Sequence, residues 1–179
     1  MNQESDIIKY VYSKYRREYE LCQTNGYFSL NLSKGSIVKI KRLLNIQKND
    51  TIGWVGFGDA RELLCLALMY PQNTFTGYEI NKDAYNIACM VKSQLGISNV
   101  ILYFENVLDT LQTFSTIYST AISGPRVYQH MYKLSLTRCC MLQNMWSYID
   151  DIDIENKNSL KEKVFLAGSR EQRMLVAYW

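Results

Sequence analysis

The stretch that decides the fold is TIGWVGFGDARELLCLALMYPQNTFTGYEINK, residues 51–82. A short β-prone run, residues 51–56, ends in glycine, and an apolar helical segment, residues 59–69, follows it directly. After the break at Pro71, a second β-prone run, residues 74–79, ends in an acid. A strand, a helix and a second strand at this spacing predict a parallel β-α-β unit.

The same alternation continues on both sides of this unit. Helices are predicted upstream over residues 6–21 and 37–44, and downstream the pattern predicts, in order, a helix over 83–95, a strand over 99–104, a short helix over 107–114, a strand over 118–122, a helix over 129–148 and strands over 163–167 and 173–178. The last two strands lie too close together for a helical crossover, so we expect them to pair antiparallel. The whole pattern predicts one doubly wound α/β sheet with helices on both faces.

The bulk composition is that of an ordinary globular chain. It has 179 residues, 47% of them hydrophobic and 21% charged, with a net charge of +3. His130 is the only histidine and the cysteines form no CxxC pair, so no metal site is predicted. No apolar run approaches the roughly 18 residues that a membrane helix needs. We therefore expect a soluble, intracellular protein, cytoplasmic or nuclear, with no membrane partner.

The candidate site lies where the first two strands end. Gly56-Phe57-Gly58 forms the turn after the first strand, and a turn without β-carbons lets a ligand approach the backbone and the free N–H groups of the next helix. Glu79 closes the second strand, where a carboxylate can accept the hydroxyl groups of a ribose. Alternatively, the glycines serve only the geometry of the turn, and Glu79 is a solvated glutamate at a strand end with no ligand.

A third element follows the third strand. Glu105-Asn106-Val107 is placed to hydrogen-bond an adenine amino group through its asparagine while Val107 packs on the ring. Asparagine is also common at strand ends for purely structural reasons. Both interpretations stay open for this segment.

These three segments, in this order, resemble class I S-adenosylmethionine (SAM)-dependent methyltransferases over roughly residues 35–179. The resemblance implies an α/β fold with a Rossmann-like, doubly wound, seven-stranded sheet that ends in a C-terminal antiparallel hairpin. It implies a basic, helical N-terminal extension, residues 1–35, before a methyltransferase-like domain, residues 36–179. It also implies SAM as the cofactor and a set of cofactor-binding residues: Gly56, Phe57, Gly58, Asp59, Glu79, Ile80, Asn106, Val107 and Ser123.

The first motif departs from the family pattern at two positions. The acid that the family places two residues before the first glycine is Trp54, which cannot accept a hydrogen bond from the methionine amino group, and the third glycine is Ala60. A catalytically inactive binding subunit is therefore an alternative, with the Met/Cys/Trp face of residues 129–148 as its interface. A nicotinamide-binding domain is a weaker alternative, because that fingerprint needs glycine where Arg61 stands.

The sequence indicates less clearly which molecule would accept the methyl group. Asn25-Gly26-Tyr27, the glycine turn and Gly77-Tyr78-Glu79 resemble, in this order, the disruptor-of-telomeric-silencing (Dot) type of histone lysine methyltransferase. This resemblance implies lysine methylation of a protein, with a nucleic-acid acceptor as the alternative. No catalytic base is evident after the fourth strand, and Ser123 and Tyr128 are the catalytic candidates.

The expected partner is a macromolecular substrate, either protein or nucleic acid. Basic residues outnumber acidic ones over residues 1–50, so an anionic partner is expected at the N-terminal region. A basic groove is predicted to seat the nucleic acid, or the DNA around a histone, and its members are Lys34, Lys39, Arg126 and Lys133.

Overall fold

A computed structural model describes residues 3–15, 34–119, 124–142, 158–165 and 171–178. The strands are β1 (Thr51–Val55), β2 (Thr74–Glu79), β3 (Val100–Phe104), β4 (Phe114–Ser119), β5 (Ser135–Leu142), β6 (Asn158–Phe165) and β7 (Glu171–Tyr178). The helices are α1 (Gln3–Tyr12), α2 (Lys34–Leu44), α3 (Arg61–Met69), α4 (Lys82–Leu95) and α5 (Pro125–Leu134), with a 3-10 turn at Val107–Asp109.

The strands form one sheet in the order β3-β2-β1-β4-β5-β7-β6. The five strands from β3 to β5 in this order are parallel, and β7 pairs antiparallel with both β5 and β6. The chain reverses its direction of travel across the sheet between β1 and β4, which is where ligands bind in open α/β sheets. The predicted α/β, Rossmann-like parallel sheet is confirmed.

Helices cover the two faces of the sheet unequally. The side chains of α1, α2, α3 and α4 pack on one face in a single apolar cluster that also contains Trp54 and Phe75. On the other face a smaller cluster joins α5 and the 3-10 turn to Tyr78 and Ile117. The sheet is therefore buried on both sides at β1 and β4, in the middle of the described parallel strands.

The structure corrects the segment between β3 and β4. A helix was predicted over residues 107–114, but the chain makes only the 3-10 turn, and β4 begins at Phe114, four residues before its predicted start. Thr116, Ile117, Tyr118 and Ser119 are all buried. A strand that is buried on both faces lacks the alternation of apolar and polar residues that marks a half-exposed strand, which explains the error.

A second correction concerns the helix predicted over residues 129–148. The chain leaves α5 at Leu134 and enters β5 at once, with Ser135 serving as both the helix cap and the first strand residue. No glycine or proline marks this junction, so the sequence carries no stop signal. Cys139 and Cys140 are buried in the two opposite core clusters, so neither contributes to an interface. The remainder, residues 143–148, lies outside the described residues.

The helix α1 belongs to the same packed unit as the sheet. It ends at Tyr12, whereas its prediction ran to residue 21, and residues 16–33 lie outside the described residues. Ile8 and Val11 are buried in the larger core cluster, and Lys41 of α2 forms an ion pair with Glu4. The division between an extension, residues 1–35, and a domain, residues 36–179, stays a prediction.

Because β5 carries buried thiols, we expect the protein to lose stability in alkaline solution. Burial raises the pKa of Cys139 from 9.0 to about 12. Between these values the unfolded chain releases a proton that the native chain keeps, so the free energy of unfolding falls as the pH rises. The slope from this thiol alone is about 1.4 kcal/mol per pH unit.

Urea denaturation between about pH 8 and about pH 11 measures this slope. Cys139→Ala is expected to lose this contribution, whereas Cys89→Ala, at a half-buried position, is expected to keep it. Identical slopes in the two variants would contradict the assignment.

Neither a membrane segment nor a metal cluster is found in the part of the chain that the structure describes. No helix there is long and apolar enough to cross a membrane. No group of three or more His, Cys, Asp or Glu side chains is arranged there to hold a metal ion.

Candidate functional site

The glycine turn after β1 takes a backbone conformation that explains its composition. Gly56 and Gly58 have φ values of 64° and 61°, in the left-handed region that residues with a β-carbon rarely adopt. Gly56 N donates to Tyr78 O at 2.8 Å, which ties the turn to the end of β2. Ala60 also has a left-handed φ, of 64°, at the place where the family has its third glycine.

Glu79 meets this turn directly. Its Oε2 accepts a hydrogen bond of 2.7 Å from Gly58 N. Its Oε1 accepts from Ile80 N at 2.9 Å and from Asn81 N at 2.8 Å. The side chain is only 7% exposed, so three main-chain N–H groups hold a nearly buried carboxylate at the carboxyl edge of the sheet. The expectation that Gly58 and Glu79 lie together is met by this geometry.

The other predicted residues near Glu79 differ in accessibility. Ile80 is 70% exposed and presents an apolar surface beside the carboxylate. Asn106 is exposed, and its Oδ1 caps the 3-10 turn by accepting from Leu108 N at 3.1 Å. Val107 packs in the smaller core cluster with only 4% of its surface exposed, which leaves little of it for a ligand.

Phe57 points into the core, and Gly77 makes room for its ring. A β-carbon on Gly77 would lie 2.5 Å from Phe57 Cδ1, and the ring is buried. Gly77→Ala is therefore expected to push the ring and the glycine turn aside and to lower the free energy of unfolding by about 1–3 kcal/mol. Gly35→Ala, which meets no atom within 4 Å, is the control.

Urea denaturation of the two variants checks this prediction. Gly35 lies in α2, where alanine is the better helix former, so its variant is expected to be as stable as the wild type or more so. A Gly77→Ala protein of wild-type stability would show that the ring under the turn is free to move.

A buried ion pair follows the glycine turn. The Asp59 carboxylate accepts from Arg61 Nε at 3.0 Å and 2.9 Å and also contacts the terminal nitrogen Nη2. Both side chains are buried. The guanidinium lies 4.5 Å from the centre of the Tyr15 ring and 5.5 Å from that of Tyr12. Asp59, predicted to contact the cofactor, is therefore held by Arg61.

The electrostatics of this pair follow from its burial. Burial alone would lower the pKa of Arg61, but the hydrogen bonds and the charge of Asp59 outweigh it, and the pKa lies above its ordinary value. Burial, and then the charge of Asp59, raise the pKa of Tyr15 well above its usual range. Tyr15 Oη donates to Asp59 O at 2.6 Å, so α1 and the residues after it close over the start of α3.

The packing of Tyr12 and Tyr15 over Arg61 was not predicted from the sequence, although the sequence contains a signal for it. Tyr12 and Tyr15 are three residues apart on a predicted helix, so their rings lie on one face. Arg61 was considered only as an obstacle to a nicotinamide cofactor. Nothing in the local sequence shows that these distant segments meet, because their contact is a long-range one.

Trp54 occupies the place of the family's motif acid. It is 1% exposed, and its ring centre lies 4.1 Å from that of Tyr118 on the neighbouring strand β4. An indole in this position packs the core under the turn and offers a ligand no acceptor. The departure seen in the sequence is therefore a real change in the chemistry of the site.

The structure describes only one of the two catalytic candidates. Ser123 lies outside the described residues. Tyr128 is buried among the side chains of the smaller core cluster. His130 Nε2 lies 2.9 Å from Thr110 O, a contact that ties α5 to the loop before β4. The roles of Ser123 and Tyr128 stay predictions.

The four cations of the predicted basic groove belong to two helices. Lys34 and Lys39 belong to α2, and Arg126 and Lys133 belong to α5, which packs on the opposite face of the sheet. Arg126 lies in the first turn of α5 and Lys133 in its last. The basic groove therefore stays a prediction.

Comparison with known proteins supplies the fold class. No protein-family profile and no curated protein sequence matches the chain. Among solved structures, the chain is similar to a precorrin-6y C5,15-methyltransferase from Geobacter metallireducens, with a TM-score of 0.73 and 11% identity over 84% of this chain and 90% of that one.

Two further structures show the same likeness. A tRNA (m1A58) methyltransferase from Aquifex aeolicus has a TM-score of 0.69 and 12% identity, over 84% of this chain and 70% of that one. A putative RNA methyltransferase from Pyrococcus horikoshii has a TM-score of 0.68 and 8% identity, over 99% of this chain and 97% of that one. Likeness at such low identity shows the fold alone: the chain has the class I SAM-dependent methyltransferase fold.

The described residues fit the adenosyl half of SAM. A carboxylate offers about four acceptor sites, and Glu79 uses three of them, with the spare one on Oε2 beside Gly58. Ile80 offers an exposed apolar contact for an adenine ring next to it. Trp54 offers no acceptor to the methionine amino group, so the described side chains provide candidate contacts for the adenosyl half only.

Proposed function

We propose that this chain binds SAM, with its adenosyl group at the carboxyl edge of β1 and β2, and transfers the methyl group to a macromolecular acceptor. The observation that carries the proposal is the hydrogen bond from Gly58 N to Glu79 Oε2, which joins a turn free of side chains to a carboxylate with spare acceptor capacity. The fold that the chain shares with SAM-dependent methyltransferases supports the same cofactor.

The chain's own residues would contribute binding and orientation. Glu79 would accept a ribose hydroxyl, Gly58 would allow the sugar to approach the backbone, and Ile80 would pack on the adenine. Bound SAM supplies an electrophilic methyl group on a sulfonium. Since transfer of that group is an in-line displacement, holding the acceptor close, aligned and dry accounts for most of the catalysis.

We favour a nucleic-acid acceptor. Two of the similar structures are those of a tRNA (m1A58) methyltransferase and a putative RNA methyltransferase. Lys82 and Arg126 are exposed in the first turns of α4 and α5, and both helices begin at the same edge of the sheet as Glu79. Cations beside the site would attract a phosphate backbone. The alternative acceptor, a protein lysine, rests on the Dot-type resemblance of the sequence.

Transfer of tritium from labelled SAM tests the proposal and separates the acceptors. The full chain is incubated in parallel with tRNA, DNA, histones and nucleosomes. Label in nucleic acid that falls with rising salt, and falls further in the Lys82→Glu, Arg126→Glu variant, is the expected result. Label in histones alone would favour the lysine acceptor. No label in any fraction, with binding of S-adenosylhomocysteine intact, would identify an inactive binding subunit.

A further inference from the structure

We propose that the groove between α4 and the edge strand β3 binds an extended peptide, which adds to the sheet as a further strand and places an acidic group against Lys92. The groove is open to solvent, has a volume of about 700 Å³ and lies on the far side of β2 from the glycine turn. Its lining includes Tyr85, Cys89, Lys92, Ile97, Ile101 and Leu102. This inference stands independently of the proposed function.

Among the described residues the outer edge of β3 is unpaired, and the strand's own sequence carries none of the usual protection. Within the residues that the structure describes, no strand pairs with β3 on the side away from β2. Edge strands normally carry a lysine, a proline or a bulge that prevents further pairing. The strand reads Val-Ile-Leu-Tyr-Phe and has none of these, while Ile101 and Phe104 are 45% and 47% exposed.

The main-chain groups of β3 are set to accept a partner strand. Asn99 O accepts a hydrogen bond from Phe75 N of β2. The main-chain N–H and C=O groups of every second residue from Asn99 onwards therefore face β2. Alternation then directs the N–H and C=O groups of Val100, Leu102 and Phe104 outward. A peptide strand lying beside them would gain main-chain hydrogen bonds, as in other cases of strand addition to a sheet edge.

The dimensions of the groove suit a short extended segment. Its helical wall runs from Tyr85 to Gly96, which spans about 16 Å at the rise of an α-helix. Five residues of an extended strand span about the same distance. Alternate side chains of such a segment would point towards Ile97 and Leu102 on the groove side of β3.

The charge of the groove lining indicates which chemical group the bound peptide carries and in which direction the peptide runs along β3. The lining contains one lysine and no acidic residue, so an acidic group is the complementary partner. Lys92 lies in the last turn of α4, near the end of the groove where β3 begins. A peptide with its acidic group at its C-terminal end would therefore run from Phe104 towards Val100, antiparallel to β3.

Fluorescence anisotropy with the full chain tests this proposal. The probes are fluorescein-labelled, C-terminally amidated heptapeptides that alternate valine and threonine, with aspartate at the last position, at the first position or absent. We expect micromolar binding of the first peptide and binding weaker by about tenfold or more for the other two. Failure of the first peptide to bind, or equal binding of all three, would overturn the proposal.

Three variants assign the binding to the groove. Lys92→Glu and Ile101→Lys are each expected to weaken binding of the first peptide by about tenfold or more. The control is Leu111→Lys, which places the same charge on an 86% exposed leucine outside the groove and is expected to bind like the wild type. Circular dichroism confirms that each variant is folded. Wild-type binding by both groove variants would contradict the assignment.

A second copy of this chain is the competing occupant. Sedimentation velocity of the full chain is expected to show a monomer in the absence of peptide. A dimer that Ile101→Lys converts to monomer, and that Leu111→Lys leaves intact, would show that two β3 edges pair with each other and would overturn the peptide proposal.

Discussion

Arg61→Met is expected to lower the free energy of unfolding by about 3–5 kcal/mol, because it leaves the Asp59 carboxylate buried without a partner. The two side chains share three hydrogen bonds and are covered by the rings of Tyr12 and Tyr15. Urea denaturation measures the loss. Arg42→Met, which removes an exposed arginine from α2, is the matched control and is expected to change stability by less than about 0.5 kcal/mol.

The double variant Asp59→Asn, Arg61→Met separates the cost of an unpaired charge from the value of the pair. Since neither charge of this pair then remains buried, most of the stability is expected to return, leaving a loss of about 1 kcal/mol. A double variant as unstable as Arg61→Met alone would show that the guanidinium matters through its packing on the tyrosine rings.

The second large effect is expected at Glu79. Removing a charged hydrogen-bond acceptor from a ligand's hydroxyl groups costs about 1.5–3 kcal/mol, so Glu79→Ala should raise the dissociation constant for S-adenosylhomocysteine about 10- to 150-fold. Isothermal titration calorimetry measures this change. Asp83→Ala removes an exposed carboxylate four residues away and is the control.

Glu79 also has a structural role, and a second variant accounts for it. Glu79→Ala leaves the N–H groups of Gly58, Ile80 and Asn81 without their acceptor, so it is expected to lower stability as well as affinity. Glu79→Gln keeps the volume and one acceptor oxygen. Both variants are titrated at a temperature where circular dichroism shows them folded. An unchanged affinity in both would contradict the role of the carboxylate.

The sequence was most informative where local rules decide the structure. The run from β1 to β2 has a strand, a glycine turn, an apolar helix and a strand-end acid, and each has a local signal. Parallel strands also share a carboxyl edge, which is why Gly58 and Glu79 were expected to meet. Their direct hydrogen bond follows from this register.

Local sequence patterns did not predict the structure where buried residues show no alternation or where segments distant in the chain come into contact. Cys139 and Cys140 face opposite sides of β5 and are both buried, so apolar and polar residues do not alternate in that part of the strand. The packing of Tyr12 and Tyr15 over Arg61 depends on a tertiary contact. Spacing along the chain also does not assign helices to faces of the sheet, so it gave no sign that α2 and α5 pack on opposite faces.

Titration of the full chain with S-adenosylhomocysteine, with NAD as the parallel ligand, tests the central claim most directly. An adenosyl site formed by the glycine turn and Glu79 predicts micromolar binding of S-adenosylhomocysteine and no binding of NAD at the same concentrations. The absence of heat from S-adenosylhomocysteine at millimolar concentration, or tighter binding of NAD, would contradict the account.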